Sequence, residues 1–272
     1  MKVGICGYGW VGKAMHSIFP DAVIYDPYSD EMTLDDKFDP LAIKDVTKKD
    51  INECDVVFIG VPTPNNPDGS LDCSIVEEVI SWCEAPLLVI RSTVQPGFCN
   101  YMMAKYKNNI VMQPEYLGET VAHPLFNEGE RPFIIIGGAP KPRRKLIELY
   151  QTVYNANISI RQVSALEAEV IKLSENRAIA FKVAQCQELY DACEASGVDY
   201  YTVRDAVYGD DPRFNLWWTF VYPDQRGFNS KCIPKDIYAW SAWAESIGIN
   251  PKVTNAVLTK NKEYINGFNN NS

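Results

Sequence analysis

A glycine-rich turn near the start of the chain has the residue types and spacing of a phosphate-binding loop. The run GYGWVG at residues 7–12 follows a short apolar segment and precedes a helical pattern, the setting in which GxGxxG binds a dinucleotide. Gly7 permits a tight turn, Gly9 lets the backbone approach a pyrophosphate, and Gly12 lets the helix pack closely on the strand. The N–H groups and partial positive charge of the helix N-terminus would then bind the phosphates.

An acidic residue downstream of this turn indicates which dinucleotide is bound. Tyr25-Asp26-Pro27 closes the second predicted strand, and Asp26 lies about 19 residues after Gly7, where a ribose-binding acid is expected. A carboxylate at this point accepts hydrogen bonds from the ribose hydroxyls and repels a 2′-phosphate. We therefore predict that the cofactor is NAD, bound by Gly7, Gly9, Trp10, Val11, Gly12 and Asp26.

Short apolar runs and helical patterns alternate through the first part of the chain, and these elements would hold the turn in place. Most of the runs are continuous and apolar, as expected of strands that are buried on both faces. Alternation of strand and helix predicts a parallel sheet with right-handed crossovers. We predict strands at residues 2–7, 22–26, 55–61, 86–92, 109–112, 132–137 and 157–163, with helices that include 12–19 and 74–82.

The second part of the chain is predicted to be helical. Residues 164–196 form one long helical pattern, with a capping box at Ser164 and Glu167 and a stop at Gly197. Shorter helices are predicted at 200–207, 234–247 and 251–267, with an irregular segment at 209–233. The predicted fold class is α/β: a Rossmann-like parallel-sheet domain over residues 1–163, followed by an all-helical domain with a long central helix over 164–272.

The composition excludes several classes of function. The chain of 272 residues has a net charge of -9 and no basic run, so we expect no nucleic-acid binding. No apolar stretch is long enough to cross a membrane, and the N-terminus lacks signal-peptide architecture, so we expect a cytoplasmic protein. Two histidines and no CxxC pair argue against a metal site.

The eight cysteines are expected to be reduced thiols in a cytoplasmic protein. Cys232 lies in a polar, turn-rich stretch and is therefore the cysteine with a candidate chemical role. Five others occur in apolar periodic segments and are predicted core residues: Cys6, Cys54, Cys83, Cys186 and Cys193.

Six short motifs follow one another along the chain. They are VPTP at 61–64, DGSLD at 68–72, RSTVQPG at 91–97, QPEYL at 113–117, EVIK at 169–172 with Asn176, and CIPKD at 232–236. Their order and approximate spacing resemble those of the UDP-glucose/GDP-mannose dehydrogenases. The resemblance implies an NAD domain, a helical central domain that dimerises, and a third domain that grips the nucleotide. We expect the present chain to lack that third domain.

The resemblance also implies a nucleotide sugar as substrate, a homodimer through the helix at 164–196, and a role in nucleotide-sugar metabolism and polysaccharide precursor synthesis. Two departures lie near the implied site. Asn229-Ser230-Lys231 stands where the family has two glycines and a small residue, and Gly118 stands where the family has arginine or lysine. Side chains thus occupy a loop that normally lets the backbone approach the ligand, and we expect an altered substrate or altered turnover.

The implied reaction is a four-electron oxidation of a primary alcohol to a carboxylate with two NAD. Lys172 and Asn176 are four residues apart and share one helix face. The lysine can act as the base that takes the alcohol proton, directly or through water. Both side chains can donate hydrogen bonds to a developing oxyanion.

The second oxidation needs a covalent hold on the aldehyde. A thiolate at Cys232 would attack the aldehyde to form a thiohemiacetal, which is then oxidised to a thioester. Lys235 and Asp236 begin a helix just past this cysteine, and the helix N-terminus favours the thiolate. Glu115 and Asp236 are both candidates for activating the water that hydrolyses the thioester, and Thr93 would help to hold that water.

Carried over residue by residue, the resemblance implies further ligand contacts. Additional cofactor contacts are Pro62, Thr63, Thr93 and Lys235. Substrate contacts are Tyr116, Leu117, Glu119, Lys172, Asn176 and Phe228.

Two other functions remain open from the sequence. One is a two-electron oxidation of the β-hydroxyacid dehydrogenase type, which fits the chain length and a Lys/Asn pair on the long helix but needs no cysteine. The other is a non-catalytic NAD-binding protein, in line with the run at 229–231 and the missing domain. Substitution of Cys232 separates the first function from the four-electron reaction, and the second predicts NAD binding without reduction.

Overall fold

The computed structural model describes residues 1–27, 46–118, 123, 125 and 127–269. The chain divides into two compact units. The first comprises Met1–Pro64 and Leu71–Lys172, and the second comprises Asn65–Ser70 and Leu173–Ser272. The domain boundary at residue 163 stays a prediction.

Among the described residues, seven strands form the sheet of the first unit. They are β1 (Val3–Cys6), β2 (Val23–Tyr25), β3 (Val56–Ile59), β4 (Leu88–Ile90), β5 (Ile110–Met112), β6 (Phe133–Gly138) and β7 (Ser159–Val163). Their order in the sheet is β2-β1-β3-β4-β5-β6-β7. Each strand lies inside or next to a run predicted from the sequence, and the Rossmann-like fold class is confirmed.

One strand departs from the predicted parallel arrangement of the sheet. β6 runs antiparallel to β5, with Val111 opposite Gly138, whereas the other neighbouring pairs are parallel. A parallel neighbour needs a crossover, usually a helix. Between β5 and β6, the 3-10 helix Glu128–Glu130 is the only regular element among the described residues. The described part of this connection therefore contains no helical crossover, in keeping with the antiparallel pairing of β5 and β6.

The centre of the sheet is buried on both faces because the strands β1, β3, β4 and β5 are buried at every position, whereas the edge strand β7 carries polar, exposed residues. In β3, Val57 and Ile59 pack into one core, and Val56 and Phe58 pack into the core on the other face, as successive side chains of a strand must. Within its described residues, this unit contains the helices α1 (Trp10–Ile18), α2 (Lys48–Asn52), α3 (Ser74–Trp82), α4 (Phe98–Tyr106) and α5 (Pro140–Tyr150).

A long helix, α6 (Ala165–Ser196), follows the last strand. The predicted capping box is present: the Ser164 N–H donates to the Glu167 carboxylate at 2.7 Å, and the Glu167 N–H donates to the Ser164 hydroxyl at 3.2 Å. Gly197 ends the helix with a φ of +72°, a conformation that favours glycine. The start and end predicted for this helix are confirmed.

The remaining described residues of the second unit are largely helical. The helix predicted at 200–207 is shorter as an α-helix: α7 (Tyr200–Arg204) continues as the π-helix Asp205–Asp210. The two helices predicted last are present as α8 (Ile233–Ser246) and α9 (Lys252–Asn269). Among the described residues, no helix is both long and apolar enough to span a bilayer.

Candidate functional site

The glycine turn between β1 and α1 has the geometry expected for each of its glycines. Gly7 has a φ of +89°, and a Cβ there would lie 2.8 Å from the Gly60 carbonyl oxygen. A Cβ on Gly12 would lie 2.1 Å from the Gly7 carbonyl oxygen, so only glycine allows this approach of helix and turn. A Cβ on Gly9 would meet no atom within 4 Å. The open side of the turn is therefore at Gly9.

Asp26 is held against this turn. Its carboxylate accepts the Tyr8 N–H at 2.7 Å, and the Gly7 N–H donates to the Tyr25 carbonyl at 3.0 Å. The acid at the end of β2 and the turn after β1 are thus tied together by two hydrogen bonds. At the start of α1, Trp10 is 57% exposed.

Val11 and the turn after β3 pack beside the glycines. A Cβ on Gly60 would lie 3.3 Å from the Val11 side chain. Pro62 is exposed, whereas Thr63 is buried and its hydroxyl donates to the Thr93 carbonyl at 2.7 Å. The turns that follow β3 and β4 are therefore joined at the carboxyl ends of parallel strands, where ligands of such sheets bind.

Glu115, which follows β5, is enclosed by donors. Its carboxylate accepts from the Arg91 and Arg131 guanidiniums, from the Tyr116 N–H at 2.6 Å and from the Leu117 N–H at 2.5 Å. Burial acts to raise the pKa of Glu115, but the charges of the two arginines outweigh it and lower the pKa to about 2. This carboxylate is ionised and anchors the chain after β5.

Sequence reasoning missed the rest of this buried ion cluster. Glu128 pairs with Arg91 at 3.1 Å and with Arg131 at 2.7 Å, and it accepts the Tyr154 hydroxyl at 2.9 Å. Buried ions need such mutual compensation. One signal was available, because Arg91 is a lone charge directly after an apolar strand. Glu128 and Arg131 lie far along the chain from Arg91 and gave no signal.

Lys172 and Tyr116 meet within the first unit. The Lys172 ammonium lies 5.4 Å from the centre of the Tyr116 ring, within the range of a cation–π contact. Both side chains are buried. Leu117 next to Tyr116 is half-buried. Glu119, also predicted to contact substrate, lies outside the described residues.

Gly118 has no room for the arginine or lysine of the family pattern. A Cβ at Gly118 would lie 1.9 Å from the His123 ring. The imidazole thus takes the space that a larger residue would need. The glycine at position 118 is therefore accompanied by a ring, that of His123, which fills the adjacent space.

In the second unit, three predicted site residues come together at the start of α8. Asp236, 1% exposed, accepts the Asn176 amide at 2.6 Å and the Lys235 ammonium at 2.7 Å. Asn176 is also buried. Because all three side chains are polar and two are charged, this cluster can form hydrogen bonds with a polar ligand.

Cys232 precedes α8 directly and is exposed. Its carbonyl accepts the Asp236 N–H at 3.0 Å, so the cysteine forms the N-terminal end of the helix that carries Asp236. The residues before it, Asn229-Ser230-Lys231, are exposed as well. The five cysteines predicted to be core residues are buried.

Two contacts hold the flanks of this cysteine loop. The Phe228 N–H donates to the Asn261 amide oxygen at 2.7 Å, and the Asn261 amide donates back to the Phe228 carbonyl at 3.0 Å. The Asn65 amide donates to the Lys235 carbonyl at 3.1 Å. A Cβ on Gly69, whose φ is +86°, would lie 3.3 Å from the Tyr238 carbonyl. Asn261 and Asn65 were not predicted.

Comparison with known proteins agrees with this arrangement. Residues 20–156 match the model of the UDP-glucose/GDP-mannose dehydrogenase family, NAD binding domain, and residues 166–263 match that family's central domain. The chain is 29% identical over 235 residues to the UDP-glucose 6-dehydrogenase of Rickettsia typhi, covering 82% of this chain and 53% of the relative. It is 27% identical to the GDP-mannose 6-dehydrogenase of Pseudomonas aeruginosa, covering 80% of this chain and 53% of the relative. The chain thus spans about half the length of the curated relatives it matches.

Solved structures share the fold. A UDP-glucose dehydrogenase from Pyrobaculum islandicum matches with a TM-score of 0.81 and 24% identity, over 96% of this chain and 68% of that one. A GDP-mannose dehydrogenase from Pseudomonas aeruginosa matches with a TM-score of 0.66 and 23% identity, over 97% of this chain and 69% of that one.

Proposed function

The chain belongs to the UDP-glucose/GDP-mannose dehydrogenase family, and from that premise we propose that it oxidises the primary alcohol of a nucleotide sugar to the carboxylate with NAD. The observation that carries the proposal is the cluster that Lys235 and Asp236, shortly after an exposed Cys232, form with Asn176 of α6. The proposal includes the expected homodimer and the cytoplasmic location.

The first unit fits the cofactor. The space at Gly9 is what a pyrophosphate needs, and Asp26 is tied to the same turn through the Tyr8 N–H. Gly7, Trp10, Val11 and Gly12 form the remainder of that turn, and Pro62, Thr63, Thr93 and Lys235 are the further proposed contacts. Bound NAD supplies the hydride acceptor for both oxidations.

The first oxidation requires removal of the alcohol proton. We assign this step to Lys172, directly or through water, with Asn176 one helical turn further along α6. Both side chains donate hydrogen bonds to the developing oxyanion. Burial of both residues supports this role, because donors in a site that excludes water stabilise charge more strongly. Tyr116, Leu117, Glu119 and Phe228 are the remaining proposed substrate contacts.

The second oxidation uses the thiolate of Cys232. Its sulfur adds to the aldehyde carbon to form a thiohemiacetal, and loss of a hydride from that carbon and of the proton from its hydroxyl leaves a thioester. The N-terminus of α8 stabilises the thiolate because the helix dipole places partial positive charge there. Water then attacks the thioester carbonyl, releasing the carboxylate product and the thiol.

The sequence offers two carboxylates, Glu115 and Asp236, that could activate this water. Their contacts favour Asp236. Glu115 is enclosed by two arginines and two N–H groups, which keep its basicity low. Asp236 lies one helical turn from Cys232, and its carboxylate accepts the Asn176 amide and the Lys235 ammonium. We therefore assign water activation to Asp236 and anchoring of the loop after β5 to Glu115.

The first test is NADH formation by the 272-residue chain from a panel of UDP-, GDP- and CMP-linked sugars. We expect two NADH per sugar from the wild type. Cys232→Ala should stop after the first oxidation, because no thiohemiacetal can form. The control is Cys73→Ala, which removes a half-buried thiol outside the cluster and should behave as the wild type.

Two results would contradict the proposal. One NADH per sugar, equal in wild type and Cys232→Ala, indicates a two-electron oxidation of the β-hydroxyacid dehydrogenase type. NAD binding with no NADH from any sugar indicates a non-catalytic NAD-binding protein.

A further inference from the structure

A fully buried carboxylate of the long helix caps a second helix. Glu169 in α6 is 0% exposed. Its two oxygens accept the Gly97 N–H at 2.6 Å and the Cys99 N–H at 2.7 Å. These donors lie at the N-terminus of α4, where the first N–H groups of a helix have no partner inside the helix. The EVIK motif thus contains a residue that the proposed chemistry does not use.

The residues of α4 explain why an outside cap is needed. Its N-cap is Gly97, which has a φ of +97° and no side chain to accept a hydrogen bond. Glu169 supplies the acceptor that most helices take from their own N-cap residue. A carboxylate also interacts favourably with the positive end of the helix dipole, and its hydrogen bonds to N–H groups are charge-assisted.

Glu169 lies one helical turn before Lys172, on the same face of α6. The first turns of this helix are fixed at a second point, where a Cβ added to Gly137 would lie only 2.4 Å from the Ala168 side chain. Directly after Ala168, the hydrogen bonds that Glu169 accepts from α4 restrict the rotation of α6 about its own axis. That rotation decides where the ammonium of Lys172 lies, at present 5.4 Å from the ring centre of Tyr116.

We propose that Glu169 is a positioning residue that acts through α4: by capping that helix it fixes the turn of α6 carrying Lys172. The inference rests on the proposed role of Lys172 as the base. It predicts that loss of the Glu169 carboxylate changes the surroundings of the Lys172 ammonium and leaves the binding of the cofactor largely unchanged.

The test variant is Glu169→Gln, which keeps the shape of the side chain. An amide has one acceptor oxygen, and its NH2 group faces the second N–H donor, so one of the two bonds is lost. The control is Glu167→Gln, a residue of the same helical turn whose carboxylate caps α6 itself. Glu169→Asp keeps the charge on a shorter side chain and serves as the conservative variant.

The primary readout is the rate at which acetic anhydride labels Lys172, followed by mass spectrometry with Lys145 as internal reference. We expect labelling to be about threefold faster in Glu169→Gln, intermediate in Glu169→Asp and unchanged in Glu167→Gln. In the NADH assay, kcat of Glu169→Gln should fall about tenfold while KM for NAD stays within about twofold, as expected when only the chemical step is affected.

Labelling that stays at the wild-type rate in both Glu169 variants overturns the inference, even if their Tm falls. So does a loss of kcat in proportion to a loss of folded protein. The labelling readout does not depend on turnover. A wild-type chain that produces no NADH would therefore contradict the proposed function, while the position of Lys172 is still tested.

Discussion

At the scale of single residues, the two candidate carboxylates differ in their surroundings. Glu115 is surrounded by two guanidiniums and two N–H donors that keep its pKa low, whereas Asp236 lies beside the cysteine and accepts the Asn176 amide and the Lys235 ammonium. A carboxylate whose protonation is strongly disfavoured accepts a proton from water poorly. The same difference predicts opposite outcomes when each residue is made neutral.

Asp236→Asn should leave both oxidations and block hydrolysis, because no carboxylate then activates the attacking water. We expect two NADH per site in a single burst, little turnover, and a thioester adduct on Cys232 in intact-protein mass spectra. Glu115→Gln should show no adduct and lose activity only as far as it loses folded protein. An adduct in Glu115→Gln and none in Asp236→Asn would reverse the assignment.

Glu115 should also make the free energy of unfolding depend on pH in the acid range. Its pKa in the folded chain is lowered to about 2, so its contribution is complete above the ordinary carboxyl pKa. The contribution is lost as pH falls toward the folded-state value, because the unfolded chain then binds the proton first. Between about pH 5 and pH 3, the wild-type Tm should fall more steeply than that of Glu115→Gln.

The substitution itself has a cost at neutral pH. Glu115→Gln leaves Arg91 and Arg131 with less compensating charge, and removal of one member of a buried ion cluster costs about 3 kcal/mol. Equal acid slopes in the two proteins, measured by thermal unfolding, would contradict the proposed ion cluster.

At the scale of elements, two glycines of the turn after β1 should differ in their effects on stability and on NAD binding. Gly9→Ala places a methyl group in open space, so the Tm without ligand should stay at the wild-type value. NAD affinity should fall about tenfold or more, because the methyl group occupies the approach of the pyrophosphate. Gly12→Ala drives a Cβ to 2.1 Å from the Gly7 carbonyl, so both Tm and NAD affinity should fall.

Calorimetric titration with NAD and thermal unfolding of both variants provide the measurements. Normal NAD affinity in Gly9→Ala would mean that the cofactor does not approach this turn. Normal stability in Gly12→Ala would mean that α1 is packed less closely on the turn than described.

The elements themselves were largely predictable. Most strands are short apolar runs, and burial on both faces of a sheet is what produces such a run. The capping box at Ser164 and Glu167 marked the start of α6 because it is a local signal. The direction of β6 was not predictable, since periodicity is the same for a strand and its reverse. The change to a π-helix at Asp205 had no local signal either.

The residues of the candidate site could be predicted from the sequence, but most of the contacts between them could not. Motif order along the chain pointed to Asn176 and Asp236, which are 60 residues apart. Their hydrogen bond depends on how α6 and α8 pack, which spacing does not encode. The cap from Glu169 to α4 and the ion cluster around Arg91 depend on tertiary packing in the same way.

At the scale of the whole molecule, the division of the chain is not a single cut. Asn65–Ser70 belongs to the second unit although residues on both sides belong to the first. Asn65 in this loop bonds the Lys235 carbonyl, and Gly69 is close to the Tyr238 carbonyl. The loop therefore supports the helix that follows the cysteine.

This has a consequence for chimeras and for recombination between relatives. A crossover at the end of the first unit would replace residues 65–70 while keeping the helix they support. The hybrid would then combine a foreign loop with a native α8 start, at the point where Lys235 and Asp236 must be held. Viable hybrids should therefore take residues 65–70 from the same parent as the C-terminal half. Such a hybrid needs two further crossovers, one on each side of this hexapeptide, besides the one at the end of the first unit.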